Sequence, residues 1–132
     1  MMIFVDTSAF YALLDRDDAN HEKSKKAWSD LLSRDDILLA SNYVIVECSA
    51  LIQNRLGIEA LRGFYEDIMP LVNIEWIDES VHRSGVSALL SASRRKLSLV
   101  DCVSFEVMRE TGAKTAFAFD PHFVEQGFRC IP

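Results

Sequence analysis

Four carboxylates carry the chemistry this sequence offers: Asp6, Glu47, Asp101 and Asp120. Grouped without a cation they would repel one another, since a pair about 4 Å apart costs roughly 4 kcal/mol at an effective dielectric near 20. A hard divalent ion removes that cost, and an all-oxygen donor set suits Mg²⁺ or Mn²⁺ better than zinc. Such an ion acidifies a bound water and steadies charge at phosphorus, so the chemistry implied is hydrolysis of a phosphodiester.

Each acid also has a plainer structural use. Asp6-Thr7-Ser8 follows an apolar run and precedes a helix, where all three residue types serve as caps. Ser98-x-x-Asp101 has the spacing of a capping box. Asp120-Pro121 reads as an N-cap with proline at the first helical position. Glu47 is harder to dismiss. Val44, Glu47, Cys48, Leu51 and Ile52 fall on one helical stripe, and an ionised glutamate on a core stripe needs a partner or a metal. Asp101, Ser104, Phe105 and Met108 share another helical face, which lets a hydroxyl accompany the acid.

The elements that must position these groups follow from hydrophobic patterning. Met2-Ile3-Phe4-Val5 is apolar throughout, as in a strand buried on both faces. Asp6 is thereby delivered to the edge of a sheet, where open α/β folds build their sites. A short helix over Ala9–Leu14 and an amphipathic one over His21–Ser33 come next; Ala27, Trp28, Leu31 and Leu32 form the apolar face of the second. Ile37–Ala40 is a second buried strand, Ser41 or Asn42 caps a helix from Tyr43 to about Leu56, and Gly57 closes it. A helix over Ile58–Ile68 stops before Pro70, and Leu71–Ile77 contains a third strand. A helix over Glu79–Ser93 leads to basic Arg94-Arg95-Lys96. A helix opened by Ser98–Asp101 runs to Thr111 with Gly112 as its C-cap. Thr115–Phe119 is a fourth strand ending at Asp120, and Phe128–Ile131 a short edge strand. Strands alternating with helices predict right-handed crossovers and a mostly parallel sheet, in one domain over residues 1–132.

Composition narrows the class. A hydrophobic fraction of 49% describes a globular protein. No apolar run is long enough to span a bilayer, and Asp6 interrupts the N-terminal run too early for a signal peptide. Cys48, Cys102 and Cys130 have no CxxC spacing, which fits buried thiols in a reducing cytoplasm. The net charge of -6 argues against an unspecialised nucleic-acid binder; it leaves room for an enzyme whose acidic site is filled by a metal. No G-x-S-x-G elbow and no GxxxxGK[ST] loop is present.

In order and spacing, the set Ile3-Phe4-Val5-Asp6-Thr7-Ser8, Val46-Glu47, Leu97-Ser98-Leu99-Val100-Asp101-Cys102-Val103-Ser104-Phe105 and Ala118-Phe119-Asp120-Pro121-His122-Phe123, with Gly127-Phe128 after it, resembles the PIN domain. Within that family it is similar to the VapC-type toxins of toxin–antitoxin pairs. The resemblance spans essentially the whole chain. It implies a three-layer α/β/α fold with a central parallel sheet and a Mg²⁺- or Mn²⁺-dependent ribonuclease. It further implies a homodimer and a small cognate antitoxin as partners. Asp6, Glu47, Asp101 and Asp120 match the family's acidic quartet, while Thr7, Ser8 and Ser104 match positions whose hydroxyls support the site.

Asp6 and Asp101 are the expected direct metal ligands, with Glu47 and Asp120 acting through water, on a second ion or on the nucleophile. Arg94 and Arg95 could hold substrate phosphates or simply form a solvated loop. His21 and His82 read as surface or helix-end residues; His122 follows Asp120 closely and is not assigned to the site. Two rival classes remain: a PIN-like module that binds without turnover, and a phosphoacceptor receiver, for which only Trp76-Ile77-Asp78 offers an acceptor.

Overall fold

The computed structural model describes residues 1–132. Five strands form one parallel sheet: β1 (Met2–Val5), β2 (Ile37–Ser41), β3 (Asn73–Glu75), β4 (Thr115–Phe117) and β5 (Arg129–Ile131), in the spatial order β3-β2-β1-β4-β5. The helices are α1 (Thr7–Leu14), α2 (His21–Ser33), α3 (Asn42–Leu56), α4 (Ile58–Gly63), α5 (Glu79–Ala92), α6 (Leu99–Thr111) and α7 (His122–Glu125). The expected α/β architecture is thus the observed one. No helix is long and apolar enough to cross a membrane.

β1 lies at the centre, where its unbroken apolar run loses water from both faces. Ile3, Phe4 and Val5 are fully buried; each such side chain contributes about 1.5–3 kcal/mol. Phe4 packs toward Phe123, which meets Phe105 edge-on with ring centroids 5.2 Å apart. A second aromatic group joins Phe10 to Trp28 and Phe64.

From β1 the chain builds outward through β2 to β3, then crosses back to lay β4 on the other side of β1. The strand order therefore reverses between β1 and β4. Their carboxyl ends flank the crevice where open α/β sheets bind ligands. Asp6 sits at one lip and Asp120 just beyond the other. The Asp6 amide donates to the Phe117 carbonyl at 3.0 Å, closing the lips together.

Several elements depart from the sequence expectation. β4 stops at Phe117, so Asp120 does not end a strand; it lies in the turn before α7. Pro121 takes the cap position of that helix instead of its first turn. The segment 58–68 is not one helix: α4 gives way to a π-helical turn at Phe64–Ile68, then a 3₁₀ turn at Met69–Leu71 containing Pro70. Phe64 is buried while Tyr65 and Leu71 are exposed, so packing Phe64 decides the path. β3 is an edge strand with Asn73 and Glu75 exposed. Leu32 lies off the apolar face of α2, 42% exposed. Ser41 is the N-cap of α3, accepting from the Val44 amide at 3.2 Å.

Candidate functional site

Asp6 is placed by two local forces. β1 ends where its apolar run ends, and the carboxylate turns to cap α1, accepting from the Ser8 amide at 3.2 Å and the Ser8 hydroxyl at 2.6 Å. The Ser8 hydroxyl also accepts from the Phe119 amide at 3.0 Å, tying the strand ends across the crevice. Asp6 is 3% exposed. Burial pushes its carboxyl up to about 7, against the two Ser8 bonds that pull it down; the charges of Asp101 and Asp120 push it further up.

Asp101 is buried on the first turn of α6. Its carboxylate accepts from the Ser98 amide at 3.1 Å while Ser98 Oγ accepts from the Asp101 amide at 3.0 Å, a complete capping box. The capping use and a place beside the other acids are therefore compatible. Burial raises its pKa, helped by the Asp120 charge and opposed by the Ser98 bonds. Asp120 accepts from the His122 amide at 2.9 Å, which fixes the turn.

Single ligand atoms of Asp101, Asp120 and His122 lie within 4.8 Å of one another, with Asp6 near enough for its charge to couple to both aspartates. His122 Nε2 is 3.9 Å from Asp120 Oδ1, and no Lys or Arg pairs with these three acids. Clustered carboxylates, two of them buried and none paired with a lysine or arginine, fit a divalent cation well.

Glu47 stands apart. It is half-buried, not on the core stripe, and lines an open cleft with Thr7, Ala50, Leu51 and Asn54, and another with Tyr43, Val46 and Val100. The stripe expected for it is rotated, because Val44, Ile45, Cys48 and Ile52 are the buried residues of α3. Thr7 shares the first cleft, and its Oγ1 is a buried side-chain polar atom without a hydrogen-bond partner. The Ser104 hydroxyl donates to the Val100 carbonyl at 2.7 Å, inside its own helix.

Arg94 donates to Glu125 Oε2 at 2.8 Å, whereas Arg95 is exposed. Two residues that the sequence does not assign to the site lie at it. His122 and Glu125 share one face of α7 by i, i+3 spacing, and their side chains approach at 3.4 Å. Burial lowers the His122 pKa, but the Glu125 bond and the Asp120 and Asp101 charges outweigh it and hold the ring above its usual value. Their spacing after Asp120 was the available signal. His21 instead binds the Ala12 carbonyl and His82 pairs with the Tyr43 hydroxyl. Asp78, which follows the edge strand β3, caps α5 by accepting from the Val81 amide at 2.9 Å.

The PIN domain family model matches residues 3–128. VapC20 of Mycobacterium tuberculosis, named a 23S rRNA-specific endonuclease, is 34% identical over 128 residues, covering 96% of this chain and 95% of its own. The crystal structure of that sarcin–ricin loop cleaving toxin superposes with a TM-score of 0.85 at 32% identity, over 96% of this chain and 95% of that one. At the level of fold alone, FitAcB from Neisseria gonorrhoeae gives 0.70 at 15% identity, over 100% of this chain and 97% of that one. VapBC2 from Rickettsia felis, bound to a promoter DNA fragment, gives 0.72 at 10%, over 98% and 97%.

Proposed function

This chain belongs to the PIN-domain family, and on that premise we propose that it is a metal-dependent endoribonuclease and the toxin of a VapBC-type toxin–antitoxin pair. The observation that carries the reading is the meeting of Asp6, Asp101 and Asp120 at the β1/β4 crevice with no lysine or arginine to neutralise them. The relative's printed name makes 23S ribosomal RNA the first substrate to test.

Asp6 and Asp101 are the residues to hold Mg²⁺ or Mn²⁺, with Asp120 beside them and Glu47 at the rim. When bound, the ion acidifies a water and stabilises charge on the phosphate and on the departing 3′ oxygen. The residues themselves supply position. Ser8 fixes Asp6, Ser98 fixes Asp101, and the His122 amide fixes the Asp120 turn. Thr7 lines the Glu47 cleft with its hydroxyl buried, and Arg95 offers an exposed cation for substrate phosphate. A small antitoxin and a second copy of the chain are the partners that family membership supports, in a cytoplasmic setting.

Asp6→Asn is the decisive variant. It keeps the cap acceptor for Ser8 while removing the charge, so the fold persists by circular dichroism and cleavage falls roughly 100-fold or more. Cleavage at the parental rate overturns the role of Asp6.

A further inference from the structure

We propose that His122 is a nitrogen ligand of the ion this site takes, oriented for it by Glu125 and Arg94. The proposal rests on the metal-dependent reading above and names a ligand outside the acidic quartet.

The two ring nitrogens of His122 face different neighbours. Nδ1 lies 3.4 Å from Glu125 Oε2, and that same oxygen accepts from Arg94 at 2.8 Å. Donation from Nδ1–H to Glu125 fixes the tautomer and leaves the Nε2 lone pair turned to the acids. Nε2 is 3.9 Å from Asp120 Oδ1. Facing the acids, that nitrogen can hold either a proton or a cation, and a divalent ion binding there takes the proton's place. Carboxylate–histidine–metal arrangements have this form, with the outer carboxylate setting ring orientation and basicity.

Distances allow it. Ligands about 2.1 Å from one ion are at most about 4.2 Å apart, and the ligand atoms of Asp101, Asp120 and His122 already lie within 4.8 Å. Closure by about half an ångström completes the set. Asp101, 7% exposed, accepts its only donor, the Ser98 amide, on Oδ2 and leaves the other oxygen free. The His122 side chain is 12% exposed, so the ring is inside the site wall and not a surface histidine. Arg94 thereby acquires a role distinct from phosphate contact: it braces Glu125.

One imidazole among oxygens shifts the preference from Mg²⁺ toward Mn²⁺. The test is pulsed electron paramagnetic resonance of Mn²⁺ bound to the full chain, with calorimetry of both ions. Nitrogen modulation on the Mn²⁺ signal is expected, changing when histidine nitrogens are isotopically labelled and vanishing in His122→Gln. The same variant should weaken Mn²⁺ binding roughly tenfold or more and Mg²⁺ binding less, and Glu125→Ala should weaken Mn²⁺ binding roughly tenfold. The labelled wild-type spectrum needs no variant to fold. Mn²⁺ held without nitrogen coupling overturns the His122 assignment while leaving the acidic site standing, and so does coupling that survives in His122→Gln. Mn²⁺ that fails to bind the wild-type chain overturns the metal reading itself.

Discussion

Ser8 grips Asp6 twice, through its amide at 3.2 Å and its hydroxyl at 2.6 Å, both on Oδ2. The same hydroxyl receives the Phe119 amide at 3.0 Å, so one oxygen joins the end of β1 to the segment after β4. Ser8→Ala leaves that amide unpaired and removes one of the two bonds that hold the Asp6 pKa down. Expected is a loss of about 1–3 kcal/mol in urea unfolding, and a cleavage profile whose rising limb moves to higher pH. A Ser8→Ala protein with parental stability and an unmoved pH profile contradicts the bridge.

Metal and pH should act on stability through Asp6. Its folded pKa of about 7 lies above the ordinary 3.8, so between those values the folded chain binds more protons than the unfolded one. Stability of the metal-free protein therefore falls as pH rises through this window, by an amount of the order of 4 kcal/mol, and levels off above it. Asp101, also raised, acts with the same sign. His122, raised as a base, likewise loses its contribution as pH climbs through its folded pKa. Melting in chelator should be higher at pH 5.5 than at pH 7.5. Mg²⁺ or Mn²⁺ at 100 times its Kd should return about 2.7 kcal/mol, mostly at the higher pH. Equal chelator melts at the two values would mean Asp6 is not a buried carboxylate awaiting charge compensation.

The sheet was legible because its centre is simple. An unbroken apolar run such as Ile3-Phe4-Val5 admits few placements, and Ser98, Asp101 and Gly112 mark α6 by local chemistry alone. Where local preference and packing diverge, the sequence misled. Residues 58–68 have helical propensity, yet burial of Phe64 pulls the backbone through a wider turn. A phase shift of part of a turn moves Glu47 from core to rim, a difference that periodicity does not resolve. His122 was passed over for a related reason. Its meaning depends on Glu125, Arg94 and Asp101, and only the fold brings Arg94 and Asp101 to it.

Gly85 governs how α6 is held. A Cβ built there meets Val103 Cγ2 at 2.7 Å, and valine in a helix has little rotamer freedom to yield. Gly85→Ala must push α5 away from α6, the helix that carries Asp101. A destabilisation of about 1–3 kcal/mol is expected despite alanine's better helix propensity, with cleavage lowered at temperatures where the protein remains folded. If the variant is as stable as its parent in thermal unfolding, the α5–α6 contact is looser than the glycine implies.

Arg94 and Arg95 should separate in their dependence on salt. Arg95 is exposed, while the charge of Arg94 is already matched by Glu125 at 2.8 Å. Each phosphate neutralised on single-stranded RNA contributes about 0.7 to the slope of log affinity against log salt. Arg95→Ala should lower that slope by roughly this amount for a catalytically inactive Asp6→Asn background. Arg94→Ala should lower it by less, because Arg94 is held by Glu125 and neutralises no phosphate while that pair persists. The contrast is read by titrating binding of one RNA across a salt series. Equal slopes for Arg95→Ala and the parent remove Arg95 from the phosphate path, and an equal loss in both variants means the Arg94–Glu125 pair opens when RNA binds.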